Sequence, residues 1–290
     1  MTWPARRQAS PTAPAPAFLA TADGLCSVKG DMADLIREVH VHESAVRLVR
    51  YAPFEIQGPH WHDRSTIAVL LRGGLSETDL RETEEASALS VVFKPARTPH
   101  ADRIGEHGAT VLQIELGRAD EAIARTEGAL RGWRWEHAME TAHLMLGLAT
   151  PMLLTSTGNA RRDTARCFHT VLRQLVAGDR RPRPAPQSWL TAATPRLECR
   201  GPAIREVAVD ARVHPVYFAR AFRRCFGESP VGYRQRHRFR EAVALLTDTC
   251  EPLADVALSA GFADQSHMTR DLVRRTGLTP RALRLLANAV

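Results

Sequence analysis

The sequence predicts an α+β protein: an N-terminal β-barrel with a helical extension, followed by an all-α C-terminal domain. Short runs of β-type residues, separated by turn residues, extend from about residue 44 to residue 116. Between residues 118 and 177 the pattern becomes helical, and after a break rich in Pro and Arg at 177–187 nearly every segment reads as a short helix. A chain of 290 residues is long enough for two domains with separate cores.

The N-terminal 25 residues, rich in Pro, Ala and Ser, predict a disordered tail without a convincing signal peptide. The most apolar run, Ala142–Leu154, is interrupted by Pro151 and is too short to span a bilayer, so no membrane partner is expected. Five widely spaced cysteines, an odd number without a C-x-x-C pair, favour a reducing compartment. The expected location is therefore the cytoplasm.

The β-type runs, among them "AVRLVRY", "STIAVLL", "LSVVFKP" and "TVLQIEL", predict a sandwich or barrel over residues 26–117. Helical segments over residues 118–178, such as "ADEAIARTEGALRGW", predict a helical region that packs against the rest of the chain or simply caps an open end of the barrel. A linker at 179–187 then leads to the helical domain at 188–290.

Charge is distributed unevenly between the two halves of the chain. Residues 179–290 carry 19 basic side chains, all of them Arg, against 11 acidic ones, a net charge of +8. Residues 1–178 carry 20 basic and 21 acidic side chains, a net charge of −1. The basic C-terminal part predicts an acidic partner such as double-stranded DNA, although an inert basic surface would give the same totals.

The C-terminal helices contain an internal repeat. "EVAVDARVHPVYFARAFRRCFG" and "DVALSAGFADQSHMTRDLVRRTG" share a small–turn–apolar–Arg–apolar–Gly pattern. Ala208 matches Ala257 at an offset of 49, whereas Arg220 matches Arg270 at an offset of 50. The pattern predicts two helix-turn-helix units in tandem, with a small Ala where each helix pair crosses and Gly261 in a turn of positive φ.

The second repeat also carries a family resemblance. "DVALSAGFADQSHMTRDLVRRTGLTPRALR" has a Gly-Phe turn, a Gln-Ser pair, an Arg and a final Thr-Pro, and "FGESPVGYRQRHRFREAVALL" fits the connecting region. With these motifs, residues 188 to about 286 resemble the DNA-binding domain of the AraC/XylS family of bacterial transcription regulators. The resemblance implies a sequence-specific regulator that is not an enzyme, with RNA polymerase as a partner and a possible homodimer. It also implies that residues 118–178 form a dimerisation or packing region.

In that family, outward positions on each recognition helix meet base edges. Arg can give two hydrogen bonds to guanine and Gln two to adenine, whereas Val216 and Ala219 offer apolar contact alone. The residues implied to contact DNA are Val216, Tyr217, Ala219, Arg220, Arg223, Gln265, Ser266, His267, Thr269, Arg270 and Arg274. The flanking arginines fit phosphate contacts or solvated charge equally well; these are Arg223, Arg224, Arg234, Arg236, Arg274 and Arg281.

Three departures from the family pattern affect the recognition helices. Arg212 stands where the first turn usually has Gly, which would cost roughly 1 kcal/mol if that residue is left-handed. His214 replaces the usual Ser or Thr cap and is expected to cap more weakly. Met268 and Leu272 replace an aromatic pair in the second recognition helix.

The N-terminal half contains "GPHWHDRSTIAVLLRG" and "FKPARTPHADR", which resemble the two motif regions of a cupin barrel. The resemblance implies a small-molecule effector site with His60, Trp61, His62 and His100 as ligand-binding residues. The Glu that completes a cupin metal site is missing, so neither a metal nor another cofactor is expected, although three His can hold zinc or iron in principle. A purely structural role for these His residues stays open.

Two other functions compete with a ligand-controlled regulator. The first is a metal-dependent cupin enzyme fused to a DNA-binding domain, which would need a complete metal site. The second is a non-specific architectural DNA-binding protein, which would not need base-reading side chains on its recognition helices.

Overall fold

The structure is a computed structural model that describes residues 26–27, 33–79, 82–137, 139–154, 157–177, 184–198 and 201–288. The predicted tail at 1–25 and most of the predicted linker at 179–187 lie outside the described residues. The predicted fold class is confirmed, because a sheet-rich N-terminal region is followed by an all-helical C-terminal region.

The described N-terminal strands form one nine-stranded sheet. They are β1 (Cys26–Ser27), β2 (Asp34–Val41), β3 (Ser44–Tyr51), β4 (Ile56–Trp61), β5 (Thr66–Thr78), β6 (Thr83–Ala86), β7 (Val91–Lys94), β8 (His100–Glu115) and β9 (Arg134–Glu136). The main path runs β1-β4-β8-β5-β7-β9, while β3 joins β2 to β8 and β6 pairs with β5. All pairs are antiparallel except the short β1–β4 pair.

The two long strands, β5 and β8, belong to two layers at once. In the first paired stretch, Thr66–Leu70 of β5 pairs with Val111–Glu115 of β8, and the neighbouring strands are β3 and β7. In the second paired stretch, Leu75–Thr78 of β5 pairs with Ala101–Ile104 of β8, and the neighbouring strands are β4 and β6. Register shifts separate the two stretches. Gly73 has φ 79°, and a Cβ there would lie 1.9 Å from the carbonyl oxygen of Gly108, so only glycine fits this bend.

Side chains alternate along the first layer, as expected for a sheet covered on both faces. Ala68 and Leu70 belong to the inner apolar cluster between the layers. Ile67 and Val69 belong to a second cluster on the outer face, where the helices pack. The inner face therefore lines an enclosed space, and the outer face is the platform for the rest of the chain.

Three helices follow the barrel strands: α1 (Arg118–Thr126), α2 (Met139–Leu154) and α3 (Thr157–Val176). The helical pattern predicted through "GALRGW" was wrong beyond Thr126. Gly128 has φ 75°, and the chain then enters β9, which adds an edge strand beside β7. Described side chains of α2 and α3 contribute to the outer-face cluster, so these helices pack on the sheet.

The C-terminal part contains α4 (Ser188–Glu198), α5 (Ile204–Asp210), α6 (Pro215–Phe226), α7 (Pro230–Asp248), α8 (Leu253–Ser259), α9 (Gln265–Thr276) and α10 (Pro280–Asn288). Helix α5 begins and ends 49 residues before α8, and α6 begins and ends 50 residues before α9. Ala208 and Ala257 are fully buried at the two helix crossings. The predicted tandem of helix-turn-helix units is therefore confirmed in length, offset and packing.

The two units differ in how their cores connect to the rest of the molecule. The first unit has a cluster of its own, built from residues of α4, α5 and α6 such as Leu190, Phe218 and Phe222. The second unit, with Phe239, Met268 and Leu272, shares one continuous cluster with α2, α3 and the outer face of the sheet. The chain is thus not divided into two independent cores at the linker.

Candidate nucleic-acid interface and barrel cavity

Both candidate recognition helices bury one apolar face and expose a polar one. In α6, Phe218 and Phe222 are buried, and in α9 the matched residues Met268 and Leu272 are buried. The exposed residues among those predicted to contact DNA are Val216, Tyr217, Arg220, Arg223, Gln265, Ser266, His267, Arg270 and Arg274, while Ala219 and Thr269 are half-buried. The predicted reading positions therefore lie on the outer faces of both helices.

The two recognition helices begin with different caps. His214 Nδ1 accepts a hydrogen bond from Val216 N at 3.3 Å, whereas Asp264 Oδ1 accepts one from His267 N at 2.7 Å. A carboxylate gives a shorter and stronger hydrogen bond to the first turn than a neutral imidazole does. The prediction of a weaker first cap agrees with these distances.

Between the two layers of the sheet lies a cavity of about 330 Å³. Its walls combine apolar side chains such as Leu75 and Val92 with a high proportion of charged ones. The lining residues are Arg47, Tyr51, His62, Asp63, Arg64, Thr66, Ala68, Leu70, Leu75, Glu77, Val92, Lys94, Asp102, Val111, Gln113, Glu115 and Trp135. Of the four residues predicted to bind a ligand, only His62 is part of this lining. His60 and His100 are buried and contact the ring of His62, and Trp61 is outside the lining.

Three charged side chains form a buried group in the wall of the cavity. Glu77 on β5 and Asp102 on β8 are directly opposed in the strand register, and Lys94 Nζ donates to Glu77 Oε1 at 2.7 Å. Glu77 is 1% exposed and Asp102 is 8% exposed. Burial opposes the charged form of Lys94, but the nearby carboxylates of Glu77 and Asp102 outweigh it and raise its pKa. Burial raises the pKa of Asp102.

The predicted histidines form a cluster next to this group. Ring centroids are separated by 4.3 Å between His60 and His100, and by 5.1 Å and 5.2 Å from these to His62. His60 Nδ1 donates to Gly58 O at 2.8 Å and His100 Nδ1 donates to Thr98 O at 2.9 Å. Because each Nδ1 carries a hydrogen, Nε2 is the nitrogen that presents a lone pair in the neutral form of each ring.

One nitrogen from each of these histidines lies within 4.8 Å of the others, a spacing at which three imidazoles can hold a divalent ion. A cation already lies beside them, since Lys94 Nζ is 3.5 Å from His100 Nε2. Burial, followed by the charge of Lys94, lowers the pKa of His62 to about 2 and that of His100 to about 3. His62 and His100 are therefore neutral at physiological pH.

Comparison with known proteins shows that the C-terminal helices match a helix-turn-helix family. The family described as "Helix-turn-helix domain" matches residues 207–285, which contain most of both units. The chain is 33% identical over 81 residues to the uncharacterized HTH-type transcriptional regulator YobQ of Bacillus subtilis, covering 28% of this chain and 34% of the relative. It is 24% identical over 233 residues to a putative AraC-like transcription regulator of Streptomyces antibioticus, covering 73% of this chain and 61% of the relative. Residues 207–285 form an AraC-type helix-turn-helix domain.

Each of these relatives is covered over less than two thirds of its own length. Among solved structures, the chain is similar to ToxT from Vibrio cholerae, with 10% identity and a TM-score of 0.34 over 86% of this chain and 99% of that one. A regulator from Chromobacterium violaceum with an AraC-type DNA-binding domain is 24% identical, with a TM-score of 0.33 over 34% of this chain and 91% of that one. Across the described part of the chain, no helix combines the length and apolar character of a membrane span.

Arginines of the connecting helix α7 and of the candidate recognition helix α6 differ in whether they have partners within the protein. Arg234 donates to the carbonyl oxygens of Leu197 and Pro202, and Arg236 forms an ion pair with Glu228 at 2.7 Å. These two arginines hold the domain together. Arg220, in contrast, makes no hydrogen bond or ion pair to any residue that the structure describes and is exposed.

The AraC-type domain touches the walls of the cavity through α7. Arg240 Nε donates to Ala88 O at 3.2 Å, and Arg240 also donates to Ser90 Oγ, just before β7. At the other end of α7, Asp248 accepts from Gly73 N at 3.3 Å and lies 3.7 Å from Arg72 on β5. Helix α7 thus contacts the strand that carries Glu77 and the turn that leads into the strand that carries Lys94.

Sequence reasoning missed the buried charged group of Glu77, Lys94 and Asp102. A signal was present, because Lys94 ends the apolar run "SVVF" and Glu77 lies in a strand pattern, where charged residues at inward positions are unusual.

Proposed function

We infer that the protein is a sequence-specific DNA-binding transcription regulator, whose activity is modulated by a small molecule bound in the N-terminal barrel. The observation that carries this proposal is the repeated geometry of α6 and α9. Each helix buries two apolar side chains and exposes Arg at the same repeat position, Arg220 and Arg270. An architectural protein would not need a base-reading side chain at the matched place in both units.

The connecting helix suits binding to successive turns of DNA. The 19 residues of α7 span about 28 Å at about 1.5 Å per residue, somewhat less than the roughly 34 Å between successive major grooves. In this arrangement Arg220 and Arg270 each donate two hydrogen bonds to guanine, and Gln265 pairs with adenine. Val216 and Ala219 contribute apolar contacts, for instance to a thymine methyl group.

The strands that line the cavity also lead to the contacts between the barrel and α7, so a bound effector could change the position of α7. Glu77 and Leu75 line the cavity on β5, and Arg72 and Gly73 on the same strand meet Asp248. On β7, which pairs with β5, Val92 and Lys94 also line the cavity, and β7 begins just after the Ser90 contact with Arg240. A ligand that displaces either strand would therefore shift α7, on which both helix-turn-helix units are mounted.

The proposal places the protein in the cytoplasm, with RNA polymerase as a partner and a homodimer as a possible assembly. No catalytic role is proposed for any residue.

The experiment is selection of binding sites by the full-length chain from a randomised DNA library, at a stated salt concentration because phosphate contacts depend on it. We expect enrichment of a defined motif with two half-sites about one helical turn apart. Enrichment of no sequence, with salt-dependent binding retained, would support the architectural alternative instead.

A further inference from the structure

We propose that the barrel cavity binds a small organic amine, whose protonated nitrogen lies between the carboxylates of Glu77 and Asp102 and whose compact apolar body contacts Leu75 and Val92. This proposal rests on the sensor role inferred above and specifies the chemical class of its effector.

The first argument is that the two carboxylates are incompletely satisfied. Lys94 occupies Glu77 Oε1, but Glu77 Oε2 and Asp102 Oδ1 are buried and have no hydrogen-bond partner among the described residues. Buried carboxylate oxygens without partners are costly, and these two belong to residues that line the cavity. They require hydrogen-bond donors, and an ammonium group supplies three.

The second argument is the local charge. Glu77 and Asp102 face one Lys, Lys94, and Lys94 forms its ion pair with Glu77. Asp102 has only the imidazoles of His60 and His100 nearby, each with its Nε2 at 3.9 Å from Asp102 Oδ2, beyond hydrogen-bond distance. At the other side of the cavity, Arg47 and Arg64 both contact Glu115, and Arg47 also contacts Glu38, so these cations are engaged elsewhere. A cationic ligand would therefore balance the charge of the carboxylates next to Glu77 Oε2 and Asp102 Oδ1, the two oxygens without hydrogen-bond partners.

The third argument concerns the rest of the guest molecule. A volume of about 330 Å³ is at the small end of the range for ligand pockets. Leu70, Leu75, Val92 and Val111 give the cavity apolar walls, and the rings of Tyr51 and Trp135 also line it. An anionic guest would instead meet two carboxylates beside a Lys that is already paired, and a neutral alcohol would bring no charge to balance the carboxylates.

The test uses three probes with the same phenylpropyl body: 3-phenylpropylamine, 3-phenylpropanol and 3-phenylpropanoate. Each is titrated into the full-length protein in buffer containing EDTA, by calorimetry and by thermal unfolding. We expect the amine to raise the Tm and to bind at least about tenfold more tightly than the alcohol, because a hydrogen bond to a charged group is worth about 1.5–3 kcal/mol. A carboxylate that binds as tightly as the amine, or no binding by any probe, overturns the proposal.

Variants locate the ammonium group. Asp102→Asn keeps the shape and removes one charge, so affinity for the amine should fall about tenfold while affinity for the alcohol stays unchanged. Glu77→Gln alone would leave Lys94 without its ion pair, so the second test is the triple variant Glu77→Gln/Lys94→Met/Asp102→Asn. This variant carries no charge in the buried group and should lose the preference for the amine. Glu106→Gln, at an exposed barrel position, is the matched control. Unchanged amine binding in both folded cavity variants would contradict the placement.

Failure of the amine proposal can be distinguished from failure of the proposed regulator function. A protein that selects a DNA motif but binds no amine disproves the effector class alone, whereas amine binding without any DNA motif disproves the regulator.

Discussion

Arg212 and Gly261 occupy the same turn position in the two helix-turn-helix units, 49 residues apart, and both have positive φ, 56° and 85°. The second unit meets this requirement with glycine, for which such a conformation carries no steric penalty. The first unit meets it with a side chain whose Cβ is strained there. The conditional expectation about Arg212 is thus fulfilled: the residue is left-handed.

Replacing Arg212 with Gly should stabilise the protein by up to about 1 kcal/mol, because relief of strain exceeds the added flexibility of the unfolded chain. Gly261→Arg should have the opposite effect, of about the same size. Urea unfolding of the full-length protein measures both changes. A destabilised Arg212→Gly variant would mean that the Arg side chain makes a compensating contribution.

The interface between α7 and the barrel gives a second prediction. Arg240 is largely buried, which lowers its pKa to about 10, and it donates to Ala88 O and Ser90 Oγ. Arg240→Met should reduce the free energy of unfolding by about 1–3 kcal/mol, because buried acceptors lose their donor. It should also accelerate hydrogen exchange across α7 to α10.

Arg238→Met is the matched control, since Arg238 is half-buried on the same helix and has no hydrogen bond to the barrel among the described residues. If Arg240→Met and Arg238→Met reduced the free energy of unfolding equally, the contacts of Arg240 with Ala88 and Ser90 would not be what holds α7 on the barrel.

The histidine cluster gives a third prediction, on metal binding. In the natural sequence the ammonium of Lys94, 3.5 Å from His100 Nε2, should repel a divalent cation and keep affinity low. The double variant Lys94→Met/Glu77→Gln removes this charge without leaving the Glu77 carboxylate unpaired, and should bind Zn²⁺ at least about tenfold more tightly. Titration with Co²⁺, followed by visible absorption, reports the coordination. If the natural protein binds one equivalent as tightly as the variant, Lys94 is not the determinant.

Much of the AraC-type domain could be predicted from the sequence, because its signals are local. The offsets of 49 and 50, the buried Ala208 and Ala257, and the left-handed Gly227 and Gly277 all follow from residues within one or two helical turns of each other. Periodicity and turn chemistry are sufficient for such short-range features.

The buried charged group and the shared core could not be predicted in the same way. Glu77, Lys94 and Asp102 lie on three strands, and the register shifts in β5 decide which of its residues face the cavity. Arg240 and Asp248 look like solvated residues of an amphipathic helix, and their contacts with the barrel depend on tertiary packing. The split in net charge indicated two separate domains, whereas the second unit shares its core with the sheet.

Sequence-specific reading by the two matched arginines is the central claim. Arg220 has no partner among the described residues, whereas Arg270 Nε lies 3.3 Å from Ser266 O on its own helix. The neighbours of Arg220 on the reading face, Val216 and Ala219, are apolar. Arg220→Ala should therefore reduce the base preference of the first half-site more completely than Arg270→Ala reduces that of the second. Each variant should lose about 1–3 kcal/mol of binding free energy that discriminates between bases at one base pair.

Selection from a randomised operator library, performed with the natural protein, Arg220→Ala, Arg270→Ala and the exposed barrel control Arg103→Ala, tests this claim most directly. The account predicts that Arg103→Ala keeps the whole motif, that Arg270→Ala loses preference at one position of the second half-site, and that Arg220→Ala loses preference in the first. An Arg220→Ala variant that keeps the natural preference at every position would contradict the assignment of α6 as a recognition helix.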